Sequence, residues 1–284
     1  MRSAALTRYG LRTAALGYLV AILVLPISIV VFNTFQDGVG PVWEALTDPA
    51  FLHALQLTLV AVAIAVPANT VFGVVCALAL VRRSSDRGSW FFNAAIGLPL
   101  ALSPVVVGLA LILVYGRDGW FGGWLVENGI QVIFSTPGIV LATMFVTLPF
   151  VVREVVPVLR EVGSDQEEVS WTLGASPAQT FLRITLPAIR WGVAYGVVLT
   201  TARALGEYGA VAVVSGRLAG KTETLTIHVD EQHLRFNEVA AYTTSLVLAL
   251  LAVLTLVALN VLKPRSDKEA SDVDRRPPGV EALR

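Results

Sequence analysis

The chain has 284 residues, 55% of them hydrophobic and 15% charged, with a mean hydropathy of +0.70. That is too little charge to cover the surface of a water-soluble domain, so the chain reads as an integral membrane protein. Its formal net charge of zero excludes a global basic field for nucleic acid, and its single cysteine, Cys76, excludes a disulfide framework or a cysteine metal cluster.

About twenty apolar residues cross a bilayer core. Six segments reach roughly that length, at 14–35, 54–81, 91–115, 136–152, 189–215 and 240–262. The expected fold is all-α, with about six transmembrane helices. The first segment is long enough to span and lacks a small-residue cleavage site, so it is read as a span and not as a cleavable signal peptide. Pro26, Pro67, Pro99, Pro104 and Pro149 interrupt the spans and are expected to kink pathway-facing helices. The helical pattern of the fourth segment continues past Val152 through Arg153, Glu154, Pro157 and Arg160, which predicts a helix projecting beyond the membrane. The fifth carries Gly192 and Gly196 at small-xxx-small spacing, then Ala202, Gly206 and Ala210, so a neighbouring helix is expected to approach it closely.

Orientation follows from the basic residues of the short loops. Sixteen of the 21 Lys and Arg precede the first span, follow the second, flank the 164–187 stretch or fall in the tail; Arg117, Arg217, Lys221 and Arg235 occupy the alternate loops. Both termini are therefore expected in the cytoplasm. The expected organisation is a cytoplasmic N-terminus at 1–13, a membrane domain at 14–262 and a disordered cytoplasmic tail at 263–284, rich in charge and carrying Pro277, Pro278 and Gly279.

Between the fourth and fifth spans lies a polar run, 164–187, SDQEEVSWTLGASPAQTFLRITLP. Ser164 with Glu167, and Ser176 with Pro177 and Gln179, match capping boxes. Leu173, Gly174 and Ala175 form a stop, because glycine tolerates the left-handed backbone that ends many helices. The pattern predicts a short helix, a bend at Gly174, and a second helix running through Pro187 into the fifth span. By composition alone, an ordinary capped connection fits equally well.

Three other groups stand out. Arg203 and Glu207 are four residues apart on the expected fifth helix, roughly 22 Å in from Ala188 at helical rise. Ionisable groups at such depth are costly and are usually paired or face water. Together with Tyr208 they are candidates for a pathway or gate, and the competing reading of Arg203 and Glu207 is a structural ion pair. The run from Ser215 to Thr222, SGRLAGKT, has a serine where a phosphate loop needs its first glycine, and it is not read as a nucleotide site. His228 and His233, with Asp230 and Glu231, lack metal-ligand spacing and are expected to be solvated loop residues that touch a partner. No cofactor is expected.

Glu168, Gly174, Ile184, Leu186 and Pro187 stand at the spacing of the EAA signature of ABC-importer permeases, although Val169 and Ser170 replace its two alanines. The runs LPFVVREVVPVL and LGASPAQTFLRITLPAIRWGVAYGVVLTTARALGEYGAVAVVSG resemble the sulfate/thiosulfate ABC permeases, of the CysW type, and RALGEYGA also resembles molybdate permeases. The resemblance implies a type I importer (MetI-like) fold with a cytoplasmic coupling helix, in which Glu168, Leu173, Gly174, Ala175, Ile184, Leu186 and Pro187 meet an ATPase. It also implies a second permease subunit, two ATP-binding subunits and an extracytoplasmic sulfate-binding protein, with hydrolysis on the ATPase and none on this chain. The external stretch 216–238 is expected to help receive the solute-binding protein. A self-sufficient secondary transporter is the competing class, disfavoured by the absence of a clear inverted repeat. A membrane enzyme has no nucleophile with a base partner to support it.

Overall fold

The structure, a computed structural model, describes residues 2–82 and 86–262. The expectations for Arg83 and for the tail 263–284 lie outside these residues. Every regular element described is helical: α1 (Arg2–Leu19), α2 (Leu25–Phe35), α3 (Val39–Thr47), α4 (Pro49–Arg82), α5 (Asp86–Ala101), α6 (Pro104–Tyr115) and α7 (Gly122–Glu127) in the first half. The second half holds α8 (Thr136–Val162), α9 (Asp165–Thr172), α10 (Pro177–Thr180), α11 (Leu186–Leu205), α12 (Gly209–Val214), α13 (Leu225–Leu234) and α14 (Glu238–Leu262). Among the described residues, five helical runs are long and apolar enough to cross a membrane: Gly10–Phe35, Pro49–Arg82, Thr136–Val162, Pro177–Leu205 and Glu238–Ala258.

The third expected span is not one continuous helix. Ala94–Ala101 and Pro104–Tyr115 are bent by 111° across the intervening residues. Ser103 is extended, as a residue before proline prefers, and Pro104 opens α6 where its missing N–H costs nothing. Pro104 thus starts a helix instead of kinking one. Two other prolines follow wide π turns. Val20–Val24 joins α1 to α2 just before Pro26, with Leu25 N–H donating to Val20 O. Phe181–Thr185 joins α10 to α11 just before Pro187, with Leu186 N–H donating to Phe181 O. A proline ring crowds the carbonyl four residues earlier and offers no donor; one extra residue in the turn relieves both problems without ending the helix.

The chain divides into two compact units. One comprises the residues up to Ala65, Leu102–Val146 and Arg203–Ala252. Its core gathers Val107, Ile139, Val211, Val214 and Ile227, and a smaller cluster joins Phe51, Ala54 and Leu225. The other comprises Val66–Ala101 and Thr147–Ala202, with the part of α14 from Val253. Its core is built from Val74, Ala77, Val151, Val155, Leu159 and Ile189. Lipid tails are as apolar as these side chains, so close packing, and not transfer out of water, holds such helices together. α11 shows how: a methyl group on Gly196 would lie 3.0 Å from Val151 Cα, and one on Gly192 would lie 3.1 Å from Glu154 O. The small-residue face therefore meets α8. Beside that face Trp191 and Tyr195 stay exposed, so the helix is not buried all round.

The helix of the fourth span continues to Val162, ten residues past the apolar run. The fifth differs from expectation. It ends at Leu205, not near Ser215, and the chain turns through 206–208 before α12 begins.

Candidate functional site

The 164–187 stretch begins where α8 stops. Gly163 adopts a left-handed φ of 71°, and α9 follows with Asp165, Glu167 and Glu168 in its first turn, where acidic groups complement the helix dipole. The first expected capping box does not form. Ser164 has helical backbone angles, and its hydroxyl donates to Glu168 Oε1 at 2.7 Å. Glu167, the expected reciprocal partner, turns inward instead. Its carboxylate accepts Arg82 Nη2 at 3.2 Å and Thr185 Oγ1 at 2.8 Å, and Arg82 Nε lies 3.0 Å from its other oxygen as an ion-pair contact. Charge-assisted bonds from a planar guanidinium are stronger than a neutral N–H at a helix end, which explains the choice.

At its other end α9 closes as the sequence predicts. Gly174 has φ 83°, its N–H donates to Trp171 O, and Ala175 N–H donates to Ser170 O. These two bonds are those of a Schellman motif. The second capping box is formed in full: Ser176 N–H donates to Gln179 Oε1 at 2.9 Å, and Gln179 N–H to Ser176 Oγ at 3.4 Å.

α9 lacks the ordinary amphipathic pattern, since it exposes charged, polar and apolar residues together and buries none that is apolar. Its buried residues are polar, Glu167 and Ser170; Ser170 Oγ donates to Glu167 O at 2.7 Å and lies 2.8 Å from Thr180 Oγ1. Exposed are Asp165, Gln166, Glu168 and Thr172 together with the apolar Val169 and Trp171 and, just past the helix end at 82% exposure, Leu173. Of the residues expected from the EAA spacing, Glu168, Gly174 and Pro187 are also exposed, while Ala175, Ile184 and Leu186 are half-buried. Sequence reasoning gave Glu167 only a capping role. Its partner is 85 residues away, a separation that leaves no local pattern to read.

The second group lies at the α11–α12 break. Arg203 Nη2 is 2.7 Å from Glu207 Oε2, and the Glu207 side chain is almost wholly buried. Glu207 is not on the fifth helix. It sits in the turn, where its Oε1 accepts Ala210 N–H at 2.9 Å at the start of α12 and its carbonyl accepts Thr226 Oγ1 at 2.7 Å. The pair thus closes one helix end and opens the next. Tyr208, beside it, joins a different set: its OH donates to Asp230 Oδ2 at 2.7 Å and accepts Arg217 Nη2 at 2.8 Å, while Arg217 Nη1 reaches Asp230 Oδ2 at 2.8 Å. Burial pulls the Arg217 guanidinium down, but Tyr208 and Asp230 more than offset that and hold it above its ordinary value.

The 215–222 run folds onto itself. Thr222 Oγ1 donates to Ser215 O and accepts Leu218 N–H. The hydroxyl that would serve a phosphate loop is therefore committed. The expectation of solvated histidines fails for His228, which is 2% exposed on α13 with Nδ1 2.8 Å from Glu223 Oε1 and its ring edge-on to Phe51. Helix formation over Leu225–Leu234 buries one face of what reads as a polar loop. Beyond α13, Phe236 has φ 61° and is 89% exposed, next to Arg235.

Comparisons with known proteins point one way. The model of the family described as "Binding-protein-dependent transport system inner membrane component" matches residues 69–268. The chain is 51% identical over 259 residues to the sulfate transport system permease protein CysW of Synechocystis sp., covering 91% of this chain and 94% of that protein. It is 35% identical to the sulfate transport system permease protein CysT of Escherichia coli K12, over 88% of this chain and 90% of that protein. Among solved structures, a bacterial alginate ABC transporter crystallised with a pentasaccharide-bound periplasmic protein matches with a TM-score of 0.73 over 94% of this chain and 96% of that one. At 14% identity this likeness speaks for the fold, that of an ABC importer permease.

Proposed function

This chain belongs to the binding-protein-dependent transport system inner membrane components, in the branch of the CysW-type sulfate permeases, and on that premise we propose that it forms one half of the translocation pathway of an ATP-driven sulfate importer. Thiosulfate is the related cargo. The other half is a second, CysT-like permease subunit, and two ATP-binding subunits supply hydrolysis. An extracytoplasmic sulfate-binding protein delivers the solute to the face that carries α13 and Phe236. Both termini and the 164–187 stretch lie on the cytoplasmic side, in keeping with the distribution of Lys and Arg.

The observation that carries this reading is the surface of α9 and of Leu173 at its end. This short stretch satisfies the buried Glu167 and Ser170 within the chain and leaves three large apolar side chains, Val169, Trp171 and Leu173, exposed among polar ones, where a partner can cover them. In this family the partner at the EAA position is the ATPase. Arg203 and Glu207 fix the turn between α11 and α12 in this reading, and the solute route passes near them without their holding the anion.

Leu173→Glu tests the docking face, because it alters an exposed side chain and leaves the fold of the bracket alone. Membranes carrying it should lose most capture of the ATP-binding subunit in a pull-down, and uptake of radiolabelled sulfate with it. Undiminished capture and uptake would refute the docking face.

A further inference from the structure

Arg82 is the last residue of α4, and a single guanidinium there gathers four segments of the chain. Its Nη2 donates to Gly163 O at the end of α8 at 2.5 Å, and its Nε and Nη2 meet both carboxylate oxygens of Glu167 on α9. Glu167 in turn holds Thr185 of the π turn that leads into α11. Ser170 and Thr180, both buried, link α9 to α10 directly beside this pair. The Glu167 side chain is 8% exposed and that of Arg82 21%.

We propose that Arg82 and Glu167 are positioning residues for coupling: the pair clamps α9 to the end of α4, so that displacement of α9 by the ATPase moves α4 with it. The inference rests on the coupling reading given above. Its physical basis is the cost of separation, since parting the two helices strands a buried carboxylate without its cation. The two-pronged contact also fixes direction, because a planar guanidinium bridging a carboxylate and a carbonyl resists rotation in a way that a point charge does not. The exposed Val169, Trp171 and Leu173 make the contact with the ATPase, and the buried Glu167 conveys it inward. The π turn before Pro187 belongs to the same device, for Thr185 on it reaches Glu167 and ties the start of α11 to the pair.

The test uses the complete importer in proteoliposomes, with the ATP-binding subunits, the second permease and the loaded binding protein. Sulfate taken up and ATP hydrolysed are measured together. Glu167→Gln keeps the shape of the side chain and its bond from Thr185 while removing the charge. It should retain ATPase capture within about twofold yet lower sulfate transported per ATP by roughly tenfold, the scale of a coupling free energy between sites. A purely structural role would change assembly or melting and leave that ratio untouched. Thr185→Val trims one contact of the same clamp and should lower the ratio by roughly two- to threefold; it carries the test if Glu167→Gln fails to accumulate. A wild-type ratio in either variant, or loss of ATPase capture in Glu167→Gln, overturns the clamp. Leu173→Glu separates the two readings: if it keeps capture, the docking face itself is wrong, whereas lost capture with an unchanged ratio in Glu167→Gln removes the clamp alone.

Discussion

Two arginine–glutamate pairs, each with its glutamate nearly buried, do opposite work in this chain. Arg203 and Glu207 are four residues apart, and the carboxylate also accepts Ala210 N–H, so that pair shapes one local turn between α11 and α12. Arg82 and Glu167 are far apart in sequence and draw in Gly163 and Thr185 as well, so that pair binds segments that local structure would leave independent. A charge pair inside a membrane protein is thus informative through what it joins. The local pair fixes a bend, and the distant pair makes several helices move as one.

Alanine at either glutamate sharpens the contrast and should give the largest effects. Glu167→Ala leaves Arg82 facing an emptied site and should cost about 3–5 kcal/mol of stability, the range for breaking a buried pair, read as a fall in the melting temperature of the purified protein. Glu207→Ala should cost less, roughly 2–3 kcal/mol, because Arg203 is one-third exposed and keeps part of its hydration. The glutamates should also part in function, with Glu167→Ala uncoupling hydrolysis from uptake and Glu207→Ala lowering both together. Equal melting shifts and equal functional profiles would erase the distinction.

Gly174→Val acts at an intermediate level. The position is left-handed with open space around a Cβ, so the penalty is conformational and not steric, about 1–2 kcal/mol. It should misdirect α9 and weaken ATPase capture while leaving the Arg203–Glu207 turn intact. Strong capture with normal uptake would show that the bend at Gly174 is not needed. Arg217→Ala should have the smallest effect on stability, under about 1 kcal/mol, since its partner Asp230 is one-third exposed and the pair is screened. It should nevertheless reduce the stimulation of hydrolysis by loaded binding protein, and unchanged stimulation would remove Arg217 from the receiving surface.

Features carried by local pattern were legible in the sequence. The Schellman stop at Gly174 and the capping box at Ser176 each depend on residues within six positions of one another, and the structure has both. Three kinds of feature were not. The break at 206–208 is hidden because α12 is itself apolar, GAVAVV, so the apolar run resumes beyond the turn and reads on to Ser215. His228 reads as solvated because its burial depends on Glu223 and Phe51, and Phe51 comes from a distant helix. Glu167 fits a capping box so well that nothing nearby announces Arg82, and only the tertiary fold decides between the two uses of its carboxylate.

The central claim is that the stretch 164–187 meets the ATPase while the face with α13 and Phe236 meets the solute-binding protein. A photoreactive residue placed at Leu173, and separately at Phe236, tests both halves in the assembled importer, since both side chains are exposed and neither holds the fold together. The account predicts an adduct with the ATP-binding subunit from position 173 and with the sulfate-binding protein from position 236. Capture of the sulfate-binding protein from 173, or of the ATP-binding subunit from 236, would contradict it.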